Sequence, residues 1–321
     1  MKRLFTALII ITIAVVMGIP AAVNWLSPAR IEKSGTVVHM YSHASGKIIN
    51  LSVEDYVKGV VAAEMPAEFP EEALKAQAVA ARTYIIKRLS GGGVTNPFHP
   101  GADVCDDHSH YQAWISSEEM KKRWGSLKYY QYYFKISLAV HSTDSEVITY
   151  GGQLVDPVYH SSCGGSGTIN SGEVWKFDVP YLKGVDCPYD ADPEPLRVVT
   201  FTAAEFKKAT GEDMSSLPVS TGPRGLIEMT ETTSAGWPKT VRIGSRTFSS
   251  TAVREMLGLR SARFKISSDA SRVRVSTVGY GHGVGMCQYG AKGMALKGEK
   301  YQDILRHYYT GVEISDLKGG K

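Results

Sequence analysis

The run EDYVKGVVAAEMPAEFPEEALKAQAVAARTYIIKRL, residues 54–89, decides how the chain is organised. From Glu54 to Ala63, the residues Tyr56, Val57, Val60 and Val61 recur at helical spacing, and Met65-Pro66 stops the element. Pro70, whose fixed φ suits a first turn, opens a second helix with Glu71 and Glu72, whose charges favour a helix N-terminus. This helix runs through Leu89 with Leu74, Ala78, Ala81 and Ile85 on one face, so that face packs against the body, and Gly91-Gly92-Gly93 ends it.

Upstream, Thr36 to Tyr41 and Lys47 to Val53 are β-prone runs around Ser45-Gly46, a hairpin pattern. Downstream, residues 97–112 read as a polar loop and Glu118 to Leu138 as a tyrosine-rich helix. Glu146 to Tyr150 and Gln153 to Tyr159 flank Gly151-Gly152, a second hairpin, and Gly164 to Gly172 is loop. Thr240 to Ile243 and Arg246 to Ser249 flank Gly244-Ser245 inside a stretch that reads as an inserted or second α+β lobe. The glycine-alternating run 279–286 then leads into helices from Gln288 and from Gln302.

Lys2 and Arg3 precede an uncharged stretch from Leu4 to Trp25, and about twenty apolar residues suffice to cross a bilayer. An uncleaved anchor is expected, with a cytoplasmic N-terminus and the rest outside, where neither ATP nor NADH is at hand. The alternative, a cleaved signal peptide, has only a partial small-x-small site at Pro20-Ala21-Ala22. The predicted fold class is therefore α+β, with mostly antiparallel strands and packed helices plus an N-terminal transmembrane helix. The expected division is an anchor at 1–30, a core at 31–195 and 276–321, and the lobe at 196–275.

In 321 residues, 43% apolar and 21% charged exclude a disordered chain. A net charge of +4 without long runs of one sign gives no footprint for nucleic acid, and that class is set aside. Four cysteines without a CxxC pair are too few for a disulfide scaffold.

Glu64 closes the apolar run Val60 to Ala63 and precedes Met65-Pro66. A carboxyl in an apolar pocket has its pKa raised and suits a general acid, whereas the plain reading is a helix-end carboxylate turned to solvent. Arg82, on the Ala-rich face of the next helix, either snorkels to water or is held for a polar partner. The glycines at 279, 281, 283 and 285 permit close backbone approach without matching a phosphate-binding loop, and His282 among them either binds substrate or is structural. In HSSCGG, residues 160–165, Ser162 or Cys163 invites a nucleophile reading, but the spacing matches no known elbow. Pairing of Cys163 with Cys187 in a disulfide, or plain packing, is the stronger expectation. His99, Cys105, His108 and His110 are the one local cluster of metal-ligand types, in a loop composition that also occurs without metal.

Taken together, AAEMP at 62–66, FPEEALKAQAVAARTY at 69–84, HSSCGG at 160–165 and GYGHGVGMCQYGAKGMA at 279–295 closely resemble the stage II sporulation protein D family. The resemblance runs from about residue 36 to the C-terminus and extends to amidase-enhancer proteins. It implies a lytic transglycosylase that cuts the β-1,4 bond between N-acetylmuramic acid and N-acetylglucosamine in peptidoglycan. It implies Glu64 as the catalytic acid, with Arg82, Tyr84 and Gln112 lining the glycan cleft, and His282, Gln288 and Tyr289 of the glycine-rich motif as further substrate-binding candidates. One branch of the family resembles a zinc protein through a His, Cys, Cys series. His99 and Cys105 match it, Tyr111 stands at the third position and His110 could substitute, so neither metal nor cofactor is expected. The implied partners are peptidoglycan glycan strands, stage II sporulation proteins P and M, and the membrane at the sporulation septum.

Such chemistry needs one carboxyl. The acid protonates the glycosidic oxygen and the muramic C6 hydroxyl closes on C1, an intramolecular attack that needs no enzyme nucleophile. Two rivals remain: a non-catalytic glycan-binding enhancer of a cell-wall amidase, and a zinc peptidase, for which a full ligand set is missing.

Overall fold

The computed structural model describes residues 36–91, 98–175, 177–213, 227–268 and 272–317. Strands β1 (Val37–Ser42) and β2 (Lys47–Ser52) form the first hairpin around Gly46. Ser52 caps α1 (Val53–Glu64) by accepting the Asp55 N–H at 3.1 Å. Next come α2 (Glu71–Ser90), β3 (Val104–Cys105), which lies parallel to β1, α3 (Ser117–His141), β4 (Glu146–Tyr150), β5 (Gln153–Leu154) and β6 (Tyr159–His160). A short α4 (Ser171–Val174) precedes β7 (Leu196–Thr202), α5 (Ala203–Thr210), β8 (Ile227–Thr232), β9 (Pro238–Ile243), β10 (Arg246–Ser249) and α6 (Ser250–Met256). The chain closes with β11 (Phe264–Ser268), β12 (Arg272–Val278), β13 (Met286–Cys287), α7 (Gln288–Leu296), α8 (Tyr301–Tyr308) and β14 (Glu313–Asp316).

Helix α2 is the axle of the larger core. The sequence shows one apolar face, but Ala73, Leu74, Ala76, Ala78, Val79, Ala80, Ala81 and Ile85 bury most of its circumference. Short alanine side chains let α1, α3, α7, α8 and β4 all pack against it. A second apolar cluster is separate. Phe206, Val241, Ile243, Val253, Phe264, Val273 and Val275 gather between the antiparallel sheets β10-β9-β8 and β11-β12-β7.

Two expectations are corrected here. Among the described residues no helix is long and apolar enough to cross a membrane. The two longest, α2 and α3, carry Lys75, Arg82, Lys87 and Arg88, and Lys121, Lys122, Arg123 and Lys135. Leu4 to Trp25, on which the transmembrane helix rested, lies outside the described residues. The described residues make a mixed helix-and-strand fold, and the expected transmembrane helix and single-pass location find no support among them. The second hairpin is also shorter than its pattern. Gly151 and Gly152 turn with φ of 56° and 74°, but β5 ends at Leu154, before Pro157, which has no N–H to donate. Tyr159 and His160 pair instead, in parallel, with Met286 and Cys287.

Arg82 is a strut inside this core. It is 1% exposed, its Nε and Nη2 donate to Glu54 at 2.8 and 2.7 Å, and Nη2 also donates to the Val140 carbonyl at 3.0 Å, near the end of α3. Removing one member of such a pair leaves a desolvated charge and orphaned carbonyls. Arg82→Leu should therefore cost about 3–5 kcal/mol in urea unfolding, with part recovered in the double variant carrying Glu54→Leu. A loss below about 1 kcal/mol would show that the pair is only a surface contact.

Candidate active site

Glu64 is the last residue of α1, and its surroundings are set by how closely another segment approaches that helix. The Ile115 N–H donates to the Gly59 carbonyl at 3.3 Å, and the Trp114 indole lies directly on Gly59, where a Cβ would come within 2.0 Å of Nε1. Only glycine admits this contact. It brings the Ala113 N–H to Glu64 Oε1 at 2.9 Å. Arg123 Nη1 caps the Ala62 carbonyl at 3.1 Å, a position that favours a cation at a helix C-terminus.

Burial dominates the carboxyl's electrostatics and holds it above the ordinary 4.5, partly offset by the Ala113 N–H, the Tyr159 hydroxyl and the charge of His108. Tyr159 is itself positioned. Gln112 Nε2 donates to its hydroxyl at 3.0 Å, and Gln112 Oε1 accepts from Tyr56 at 3.4 Å. The backbone of Tyr159 is fixed by β6 and by His282, whose Nε2 donates to the Tyr159 carbonyl at 2.9 Å while its Nδ1 accepts the Val284 N–H at 3.2 Å. That pair of bonds selects one neutral tautomer, and burial pushes the imidazole down to about 4.

Two cavities meet at Glu64. One, of about 390 Å³, is walled by Glu68, Phe69, Arg123, Trp124 and Tyr289, and the other, of about 590 Å³, by Tyr84, Tyr111, Gln112, Tyr159, Tyr280 and His282. Ala63, Glu64, Ser161 and Gln288 line both. The glycine-rich loop reaches this wall because Gly281 and Gly285 adopt φ of 110° and 69° and leave no room for a Cβ, which would come within 2.7 Å of His160 Cβ and 2.1 Å of the Val158 carbonyl oxygen.

The structure thus brings Glu64, Tyr84, Gln112, His282, Gln288 and Tyr289 to one cleft. Gln288 is tied back by donating Nε2 to Gln77 at 3.2 Å, and Tyr289 meets Phe69 edge-on at 5.1 Å between ring centres. Arg82 lines neither cavity. Tyr159, Ser161, Arg123 and Trp124 were not singled out in the sequence; for Tyr159 the usable signal was Pro157, which ends the strand and frees the next residues for another partner. Glu68 is a second carboxylate in the smaller cavity, exposed and held below the ordinary range chiefly by the Tyr132 hydroxyl at 2.8 Å.

Of the two expectations for Cys163 and Cys187, a disulfide or plain packing, the structure has the second. Cys163 and Cys187 are buried free thiols, as are Cys105 and Cys287. In the 99–110 loop the Tyr111 hydroxyl, at the third position, accepts from Arg88 at 3.0 Å, while His110 stacks on Phe98 with its Nδ1 3.7 Å from Cys105 Sγ. His43, from the end of β1, joins His99 and Cys105 with ligand atoms within 4.8 Å of one another.

The fold and site define a mixed helix-and-strand protein with a half-buried carboxyl where two cavities meet, and residues 41–150 match the family described as Stage II sporulation protein. The chain is 37% identical to stage II sporulation protein D of Bacillus subtilis (strain 168) over 287 residues, covering 89% of this chain and 81% of that one. It is 36% identical to the protein of the same name from Bacillus amyloliquefaciens, over 89% and 80%. The chain belongs to the stage II sporulation protein D family. It is also 30% identical to the amidase enhancer of Bacillus subtilis (strain 168), over 81% of this chain and 40% of that protein.

The raised pKa has a signed consequence. The folded state holds the Glu64 proton more tightly than the unfolded chain, so this group's contribution to stability is complete below the unfolded value and is lost as pH rises through the folded one. Glu64→Gln should gain stability relative to the wild type as pH rises above the ordinary carboxyl range, read from urea midpoints. A difference that stays flat or shrinks with rising pH would contradict the burial of this carboxyl.

Proposed function

We propose that the protein is a peptidoglycan lytic transglycosylase, cleaving the β-1,4 bond between N-acetylmuramic acid and N-acetylglucosamine with Glu64 as its single acid and base. The observation that carries this reading is the position of Glu64 at the junction of the two cavities, where a glycan threaded through both would present its linkage. Aromatic faces stand on either side, Phe69, Trp124 and Tyr289 in one direction and Tyr84, Tyr111 and Tyr280 in the other, and flat rings suit the C–H faces of sugars.

The chemistry follows from the two carboxyl oxygens. Oε1 accepts from the fixed Ala113 N–H, so the acid proton sits on Oε2. Oε2–H protonates the glycosidic oxygen as the bond to C1 breaks, and the N-acetylglucosamine end leaves with a new hydroxyl. The C6 hydroxyl of the same muramic residue bonds to C1, its proton returns to Glu64, and a 1,6-anhydro end results. Proximity replaces a protein nucleophile. Tyr159, kept neutral by burial, and the Gln112 amide hold Glu64 in place and offer hydroxyl and amide dipoles to the developing positive charge. No step runs through a metal.

The finer assignment extends to partners. Stage II sporulation protein P would remove stem peptides, and the bared strand then fits a cleft that peptides would block, in a complex that includes stage II sporulation protein M. The similarity to an amidase enhancer favours one second reading, a glycan-binding enhancer that does not cut.

Glu64→Gln should lower turnover by about 10²–10⁴-fold or more, whereas Glu68→Gln costs less than about tenfold. The kcat/KM profile should show one descending limb above the ordinary carboxyl range, because the free enzyme must start protonated. A bell-shaped profile together with a dead Glu68→Gln would instead assign a two-carboxylate hydrolase. Undiminished amidase enhancement by Glu64→Gln, with no glycan cut by the wild type, would assign the binding role.

A further inference from the structure

Behind the cleft wall, outside the acid site, Cys163, Cys187, Cys287 and Asp190 converge with their ligand atoms within 4.8 Å of one another. The three thiols are 1%, 3% and 0% exposed. They come from three distant segments: the HSSCGG turn, the run Cys187-Pro188-Tyr189-Asp190, and the start of α7. Asp190 Oδ2 is the hub, receiving the thiols of Cys163 and Cys287 at 3.1 and 3.3 Å and the Cys163 N–H at 2.8 Å. Its other oxygen is turned away and fixed by the Asp192 N–H at 3.0 Å.

We propose that these four residues form a tetrahedral zinc site that clips the three segments together. Three sulfurs and one carboxylate oxygen are a ligand set zinc accepts, and Cys187 and Asp190 are spaced as the paired ligands of a zinc knuckle. The outer contacts suit coordinated thiolates. Backbone N–H groups of Cys163 and Gly290 each donate to Cys287 Sγ at 3.3 Å, and the Tyr308 hydroxyl lies 3.1 Å from Cys187 Sγ. A Cβ on Gly290 would come within 2.3 Å of Cys187 Sγ, so the α7 backbone itself closes one side. Three thiolates and a carboxylate around a dication leave net negative charge, which the buried Arg263, donating to the Cys163 carbonyl at 2.8 Å, offsets. A disulfide would use two sulfurs and leave the third, with the carboxylate pointing at it, unexplained. On binding, each thiol gives its proton to solvent and no redox change occurs.

The consequence reaches the cleft, because Gln288 and Tyr289 directly follow Cys287 and Ser161 lies two residues before Cys163. Full-length protein expressed with zinc and dialysed should retain about one zinc per chain by elemental analysis. Cys163→Ser, Cys187→Ser and Cys287→Ser should each lose it, and Asp190→Ala should weaken retention against a chelator at least about tenfold. Cys105→Ser, which alters the separate His43 and His99 cluster, should keep it. If the serine variants fail to fold, cobalt added to metal-free wild type decides, since thiolate ligands give a near-ultraviolet charge-transfer band and tetrahedral cobalt gives intense visible bands. Wild type without zinc or cobalt signal, wild type lighter by the two hydrogens of a disulfide, or zinc lost in Cys105→Ser but kept in Cys163→Ser would overturn the assignment.

Discussion

The hydrogen bond from the Ala113 N–H to Glu64 depends on a single small residue of the helix that carries Glu64 itself. Gly59 lets Trp114 lie flat on α1, and that contact sets the distance at which the following loop passes the helix end. A carboxyl in this position has lost most of its water but has gained the Ala113 N–H and the Tyr159 hydroxyl as donors. Burial raises the pKa, and the Ala113 amide and Tyr159 hydroxyl moderate the rise.

The rest of the molecule supports that arrangement from two sides. Helix α2, alanine-rich and enclosed, carries α1 on one flank and α7 with α8 on others, so Glu64 and Gln288 face one cleft from elements that share a core. The smaller lobe touches this wall through Arg260, whose carbonyl accepts the Gly281 N–H at 2.9 Å and whose guanidinium lies 4.9 Å from the Tyr280 ring centre. The Gly279 N–H donates to the Pro195 carbonyl at 2.8 Å, so the chain leaves and re-enters the core at nearly one point, and the intervening sheets bury their own cluster.

Much of this was legible in the sequence, and the failures have physical causes. The two helices around Met65-Pro66 and the turns at Gly46 and Gly244 follow from spacing and turn chemistry, and the structure has them near the expected bounds. Arg82 could not be placed from its helix face alone, because its meaning lies in Glu54 and in carbonyls contributed by α3 and β4. Tyr159 and the cysteine cluster depend on parallel pairing between segments more than a hundred residues apart, which local periodicity does not encode. The transmembrane expectation came from residues outside those described, and the helices that are described are too polar for it.

In the proposed mechanism Glu64 works alone and the substrate supplies the attacking hydroxyl. Mass spectrometry of the soluble products from peptide-stripped glycan strands tests it most directly. That mechanism gives fragments ending in 1,6-anhydromuramic acid, each lighter by one water than a hydrolytic product and without incorporated oxygen when the reaction is run in isotopically labelled water. Reducing ends carrying solvent oxygen would contradict it.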